Sequence, residues 1–542
     1  MLSRRFSTLF SRAVKAKDRV AVVDPHGSYT YGSLLQDSQL LSKRIQASPS
    51  VVGALQGSTA SKDHQNSRQH QKSVAFLFPR EYSYVVAQWA TWRTNGIAVP
   101  LCDTHPQAEL DYIVKDSRAS VLVAHPRFAD LAARISADNG IPSIVVDLSS
   151  LGSHQEPAAA AAAAAPLETP PALSDGAMIV YTSGTTGRPK GVLTAHSNLE
   201  AQITALVTAW GWTAGDRILH VLPLHHVHGI MAVLLCALWS GATCEMVPKF
   251  DAAAVLHALS SRDPASRDAI TLFMAVPTIY SLLIKAYEEA PAEVQRAISM
   301  PLKLPSSPLR LMVSGSASLP PSVAGRWQEI TGHRLLERYG MTEFGMAISN
   351  PLNGERRLAS VGTPLPSYEV LIVNEVTREP ITGENVAGEL LVRGPGVFTE
   401  YYGRRQATLD SFEERNGKRW FKTGDVCLVR NGYFHIQGRM SVDIIKTAGH
   451  KISALEVEQA LLEHPAIAEA AVVGTEDSVF GQRVTAVIVE RRGVTPTEIR
   501  EHCLRHISKE KIPTALHVVK AIPKNAMGKV NKKTLLKDLG LA

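Results

Sequence analysis

The segment Tyr181-Thr-Ser-Gly-Thr-Thr-Gly-Arg-Pro-Lys-Gly191 gathers three glycines, four aliphatic hydroxyls and two cations into eleven residues. That composition suits phosphate. Glycines let backbone N–H groups approach closely and take positive φ, hydroxyls donate to non-bridging oxygens, and Arg188 and Lys190 offset negative charge. The G-x-x-x-x-G-K-[ST] loop of kinases and GTPases does not fit, because only two residues separate Gly184 from Gly187. Pro189 also disfavours a helix opening at Lys190. A plain Gly/Ser-rich surface turn has a similar composition, so the loop needs companions before it defines a site.

Four further segments supply them. Glu337-Arg-Tyr-Gly-Met-Thr-Glu343 ends in a hydroxyl and a carboxylate, Thr342 and Glu343. Mg²⁺ beside nucleotide phosphates keeps most of its waters and takes roughly one or two protein carboxylates, which makes Glu343 a candidate ligand. Trp420-Phe-Lys-Thr-Gly-Asp425 leads aromatics into a tight turn ending in an acid that could hold both ribose hydroxyls. Gly438-Arg439 with Asp443 and Lys446 is the third segment. In the fourth, Pro523-Lys-Asn-Ala-Met-Gly-Lys529, a glycine-flanked lysine could deliver a cation to developing negative charge. Singly, exposed glutamates and turn aspartates are ordinary surface features.

The elements that must position these residues follow from periodicity. Short apolar runs such as Val74–Phe78 and Ser120–Ala124 alternate with helical stretches such as Glu109–Asp116, a βα pattern. Leu219–Leu222, Ile270–Phe273, Leu309–Val313 and Glu389–Val392 read as further buried strands. The polar run Ser58–Ser73 and the alanine-rich segment Pro157–Pro171 interrupt the pattern as loop insertions. After Arg439 the texture restarts with a helix (Ala454–Glu463), a strand (Glu469–Val473) and a helix (Thr497–Ser508). The predicted class is α/β: a large multi-layer N-terminal domain over residues 20–438 and a small mobile α+β domain over 439–542.

Much of the formal charge of +7 sits in a leader: Arg4, Arg5, Arg12, Lys15 and Lys17 precede any acid, leaving +2 for the body. A nearly neutral body gives no nucleic-acid signal. Leu2, Phe6, Leu9, Phe10 and Ala13 share one helical face opposite those cations, the pattern of a mitochondrial presequence over residues 1–19, and hence of a matrix protein. The longest apolar stretch, Ile230–Trp239, is too short to span a bilayer. The five cysteines form no C-x-x-C pair, which supports neither a disulfide framework nor a cysteine metal cluster.

Taken in order and spacing, the five segments resemble the adenylate-forming superfamily of acyl-CoA synthetases, luciferases and peptide-synthetase adenylation domains. The resemblance runs from about Val20 to Leu541. It implies that Thr182, Ser183, Gly184, Thr185, Thr186, Gly187, Arg188 and Lys190 hold the ATP phosphates. It implies that Gly315, Ser316, Ala317, Glu337, Arg338, Tyr339 and Gly340 frame adenine, and that Asp425 and Arg439 bind ribose. Lys529 would be the adenylation lysine, Thr342 and Glu343 would serve the phosphates and Mg²⁺, and Lys446–Ser453 would line the path of CoA. A carboxylate attacks the α-phosphorus of ATP, and a thiolate then displaces AMP from the acyl-adenylate; because one arrangement cannot suit both steps, a hinge is expected at Arg439–Ser441. The family's usual hinge acid or lysine is Ser441 here. The chain ends soon after Lys529, so no carrier domain is expected beyond it.

The wording of Ser314–Ala317, Leu336–Ala347 and Val442–Lys446 is most similar to malonyl-CoA synthetases. That implies malonate, and methylmalonate, as acids. His226 matches the superfamily's aromatic gate, with His228 close by in Leu222-Pro-Leu-His-His-Val-His-Gly229. A second carboxylate asks for a bidentate cation, and the expectation is that Arg310, helped by His228, supplies it. The opposing reading of Arg310 is a strand anchor. The alternative activity is a short- or medium-chain or aromatic monocarboxylate–CoA ligase with the same ATP segments and a different pocket.

Overall fold

In the computed structural model, residues 8–47, 71–148, 171–182, 188–261, 263, 266–447, 450–477, 479–524 and 529–541 are described. Ser183–Gly187, the alanine tract, most of the polar insertion and the first seven residues lie outside them.

Two large sheets make the N-terminal body. One has nine strands in the order Thr363–Pro364, Gly345–Ser349, Leu336–Met341, Leu311–Ser314, Leu272–Ala275, Arg217–His220, Thr243–Met246, Val20–Asp24 and Gly27–Thr30. The other has seven, with Ile97–Pro100, Ser73–Leu77 and Ala119–Ala124 parallel at its centre and Gly191–Ala195 antiparallel to Gly176–Tyr181. Strands such as Ser73–Leu77 are buried at every position, as expected of a sheet covered on both faces. The apolar run after His228 is not a strand. It forms a π-helical stretch, His228–Leu235, continuing as the α-helix Cys236–Ser240, with all eight residues of the first part buried.

A third, antiparallel sheet joins Glu369–Val373, Gly388–Arg393, Lys418–Arg430 and Phe412–Arg415, with Tyr433–Arg439 pairing the long strand Lys418–Arg430. Past Ser441 the chain enters a separate five-stranded sheet built on Ile467–Asp477 and Gly481–Glu490. Helices Ala454–Leu462 and Pro496–His506 pack with it around their own core of Ile445, Val457, Leu461, Ile488 and Ile499.

The amphipathic leader is partly structural. Thr8–Lys15 is a helix whose Leu9, Phe10 and Ala13 are buried in the main core. Phe10 meets Trp89 edge-on at 4.8 Å, Arg93 lies over its ring, and Arg12 covers Trp239. Residues counted with the presequence therefore pack as part of the N-terminal domain.

Candidate active site

Strands Arg217–His220, Leu272–Ala275, Leu311–Ser314 and Leu336–Met341 run parallel and end on one side, where open α/β sheets bind ligands. From those ends continue the loop Val221–Val227, the turn Gly315–Ala317, and Thr342 with Glu343. Two positions show how tightly the backbone is drawn in. A Cβ on Gly340 would sit 1.9 Å from the Gly345 carbonyl, and Ser316 adopts φ +71°, a conformation uncommon for a non-glycine residue.

On the nucleotide side, Asp425 lies opposite Arg439 across two strands. Its carboxylate accepts from Tyr339 Oη at 2.6 Å and from Arg439 Nε at 2.9 Å. Burial opposes the Arg439 charge, but Asp425 more than compensates and holds its pKa high. Glu343 is buried and accepts from Tyr401 Oη at 2.7 Å; burial raises its pKa, which a bound cation would reverse. Thr182 and Lys190 close the base of the phosphate loop through Thr182 N–H to Lys190 C=O, 3.0 Å, and Lys190 Nζ stands 4.7 Å from the Tyr401 ring centroid. Arg188 is exposed, with its guanidinium over Tyr112. Ser183–Gly187, the heart of the expected phosphate cradle, lie outside the described residues.

The acyl side requires one correction. Arg310 precedes the strand Leu311–Ser314, at the end away from the turn Gly315–Ala317. Its Nε and a terminal nitrogen donate to the two oxygens of Asp216, both at 2.8 Å, and the rest of the fork donates to the carbonyls of Trp210 and Gly211. Four of its five N–H donors thus anchor the start of the strand, at the end away from the site. Glu337 and Arg338, expected to frame adenine, are both buried. The Glu337 carboxyl takes backbone donors at Ala359 and Leu319, and burial raises its pKa to about 8.

Arg338 is 4% exposed, and among the described residues no carboxylate pairs with it. One terminal nitrogen donates to Ser316 Oγ at 3.2 Å, while its Nε is buried with no hydrogen-bond partner. Burial lowers its pKa to about 9. The guanidinium lies over Gly315, where a Cβ would come within 2.5 Å of Nε. Ser316 Oγ is in turn 3.2 Å from His228 Nδ1. His226 and His228 each keep a buried, unpartnered Nε2, and burial holds both imidazoles neutral. The result is a buried cluster of one cation, a hydroxyl and two neutral imidazoles, complementary to an anion.

Lys529 reaches this place from the C-terminal domain. Burial, Arg439 and Arg338 lower its pKa, with Asp425 and Glu343 opposing, and its charge is felt by His226 and His228. Gln459 Nε2 donates to Ser318 Oγ across the domains at 2.8 Å. Nearby, Lys532 Nζ sits 2.6 Å from Asp443 and 2.7 Å from Glu458, tying the helix after Lys529 to the segment after Arg439. Lys446 is exposed, its N–H donating to Gln482. Ala317 is exposed, and Thr342 and Gly340 are half-buried beside Glu343.

This architecture is an adenylate-forming one, and the chain belongs to the AMP-binding enzyme family. The family description "AMP-binding enzyme" matches residues 64–402 and "AMP-binding enzyme C-terminal domain" matches 456–529. "Malonate--CoA ligase ACSF3, mitochondrial" of Xenopus laevis is 44% identical over 97% of this chain and 91% of its own length. The protein of the same name from Homo sapiens is 43% identical over 99% and 92%. Among solved structures, ATP-bound MatB from Rhodopseudomonas palustris superposes with a TM-score of 0.81 at 29% identity, covering 98% of each chain. Among the described residues, no helix is long and apolar enough to cross a membrane.

Proposed function

We propose that this chain is a mitochondrial malonate–CoA ligase, joining malonate to CoA through a malonyl-adenylate with release of pyrophosphate and AMP. The observation that carries the choice of acid is Arg338: a buried cation with an unpartnered Nε, backed by Ser316 and His228. A monocarboxylate would leave it uncompensated; the distal carboxylate of malonate would neutralise it and take its free donor. Relatives named malonate–CoA ligase and mitochondrial support the substrate and the compartment. Matrix residence, and methylmalonate as a second acid, extend the same reading.

In the first step the reacting carboxylate of malonate, held by its far end, attacks the α-phosphorus of ATP. Lys529 meets the charge developing on the transferring group, and Asp425 with Arg439 fixes the ribose. Glu343 and Thr342 present hard oxygens on the nucleotide side and would hold Mg²⁺, which offsets phosphate charge when bound. In the second step the C-terminal domain turns about Arg439–Ser441, Lys529 leaves, and Lys446 with its strand lines the thiol's approach. The thiolate adds to the acyl carbon and AMP departs.

The test is AMP formation by the purified chain with ATP, Mg²⁺ and CoA, offered malonate, methylmalonate, acetate, hexanoate or benzoate. Malonate should dominate. Preference for hexanoate or benzoate would keep the ligase chemistry and refute the assignment of the acid.

A further inference from the structure

Behind the gate histidine lies a second group of side chains that the ligase chemistry does not use. Cys102 follows the strand Ile97–Pro100, His105 comes three residues later, and His225 projects from the loop after Arg217–His220. One ligand atom from each lies within 4.8 Å of the others. Cys102 is 3% exposed, and His225 Nε2 is buried without a hydrogen-bond partner. Glu109 Oε1 sits 3.2 Å from His105 Nδ1, an acidic neighbour of the kind that orients metal-bound imidazoles.

From this juxtaposition we infer that Cys102, His105 and His225 form a binding site for a borderline-soft divalent ion of the Zn²⁺ class, and that its occupancy slows the ligase. One thiolate and two imidazoles are the donors such ions select over Mg²⁺. Closing to Zn–S of about 2.3 Å and Zn–N of about 2.0–2.1 Å requires the three to converge by roughly 1 Å, within the reach of loop residues. Cys102 releases its proton to solvent as the metal–sulfur bond forms. The consequence for turnover runs through contact. The His225 ring is 3.9 Å from that of His226, so a metal held by His225 pins the gate loop against the Cys102 turn.

The probes are Co²⁺ and Zn²⁺ on the full chain. Titration of metal-stripped protein with Co²⁺ should give a thiolate-to-cobalt charge-transfer band, lost in Cys102→Ser. Zn²⁺ added with Mg²⁺-ATP in excess should slow CoA-ester formation, reversed by a Zn²⁺-selective chelator. Cys102→Ser and His105→Asn should each keep the metal-free rate and raise the inhibitory Zn²⁺ concentration by about tenfold or more. The second variant guards against a folding defect in the first. The absence of a charge-transfer band in the unmodified chain overturns the site. Equal inhibition of all three proteins places Zn²⁺ at the nucleotide instead, and binding without any change in rate refutes the coupling to the gate.

Discussion

Replacing Arg338 by methionine keeps most of the side-chain volume over Gly315 while deleting the buried charge and the unpartnered Nε. If that guanidinium binds the distal carboxylate of malonate, truncation removes one partner of a buried, hydrogen-bonded charge pair, a loss of about 2–5 kcal/mol. The corresponding fall in kcat/KM for malonate is roughly 30- to 5000-fold. The kinetic form of the loss is also defined. The distal carboxylate carries the same charge in ground and transition states, so its grip is uniform binding, and KM should rise far more than kcat falls. Acetate has no second carboxylate and should be used as well as before, or better. Without ligand, the variant should resist heat at least as well as the parent, because an uncompensated buried cation has been removed. Steady-state AMP release with malonate and acetate, beside a thermal melt, reads all three. Equal losses for both acids, or malonate kinetics left intact, would refute the reasoning.

Arg310→Ala should leave the KM for malonate unchanged and lower stability, toward the lower end of about 3–5 kcal/mol because Arg310 is 30% exposed; urea unfolding measures it. Glu337 binds its proton more tightly folded than unfolded, with its pKa raised from 4.5 to about 8. The folded state therefore holds the extra proton, and stability should fall as pH rises from about 4.5 to about 8, by about 1.4 kcal/mol per unit at most. Glu337→Gln should flatten that slope in melts across the range. Phe10→Ala should cost about 3–5 kcal/mol, and a chain starting at Asp18 should melt lower than one starting at Thr8, since Leu9, Phe10 and Ala13 are core residues.

The contrast between Arg310 and Arg338 shows what the sequence carried and what it did not. Both arginines stand in apolar strand wording, and charge complementarity to a diacid suits either. Position should have decided between them: a residue that opens a parallel strand lies far from the carboxyl-end crevice, whereas Arg338 is inside a strand that leads into Thr342 and Glu343. Gly315, the first residue of the neighbouring turn, is the other signal, since an absent Cβ makes room for a large side chain from next door. Buried strands were legible because both sheet faces are covered and apolar runs are continuous. Their ends moved by a few residues where loop geometry took over, as at His220, where the strand predicted to Leu222 stops and the histidine loop begins. The leader helix carries two meanings at once: the 3.6-residue stripe that suits an import receptor also docks onto a core, and periodicity alone does not separate the two.

The cations around Lys529 bear on why the C-terminal domain should move at all. In the arrangement seen here, Lys529 stands with Arg439 and Arg338, both of which disfavour its charge, and with Asp425 and Glu343, which favour it. Asp425 is already paired with Arg439, and Glu343 is held by Tyr401. Three converging cations are tolerable when ATP and a dicarboxylate bring several negative charges among them. On our reading, that is what draws Lys529 in for adenylation. Once pyrophosphate leaves, most of that negative charge goes with it, while Arg338 stays neutralised by the distal carboxylate. The remaining repulsion between Lys529 and Arg439 then favours rotation about the segment that begins at Arg439, the residue proposed to hold the ribose with Asp425. Loss of product charge, rather than a contact made by CoA, would thus start the second half-reaction.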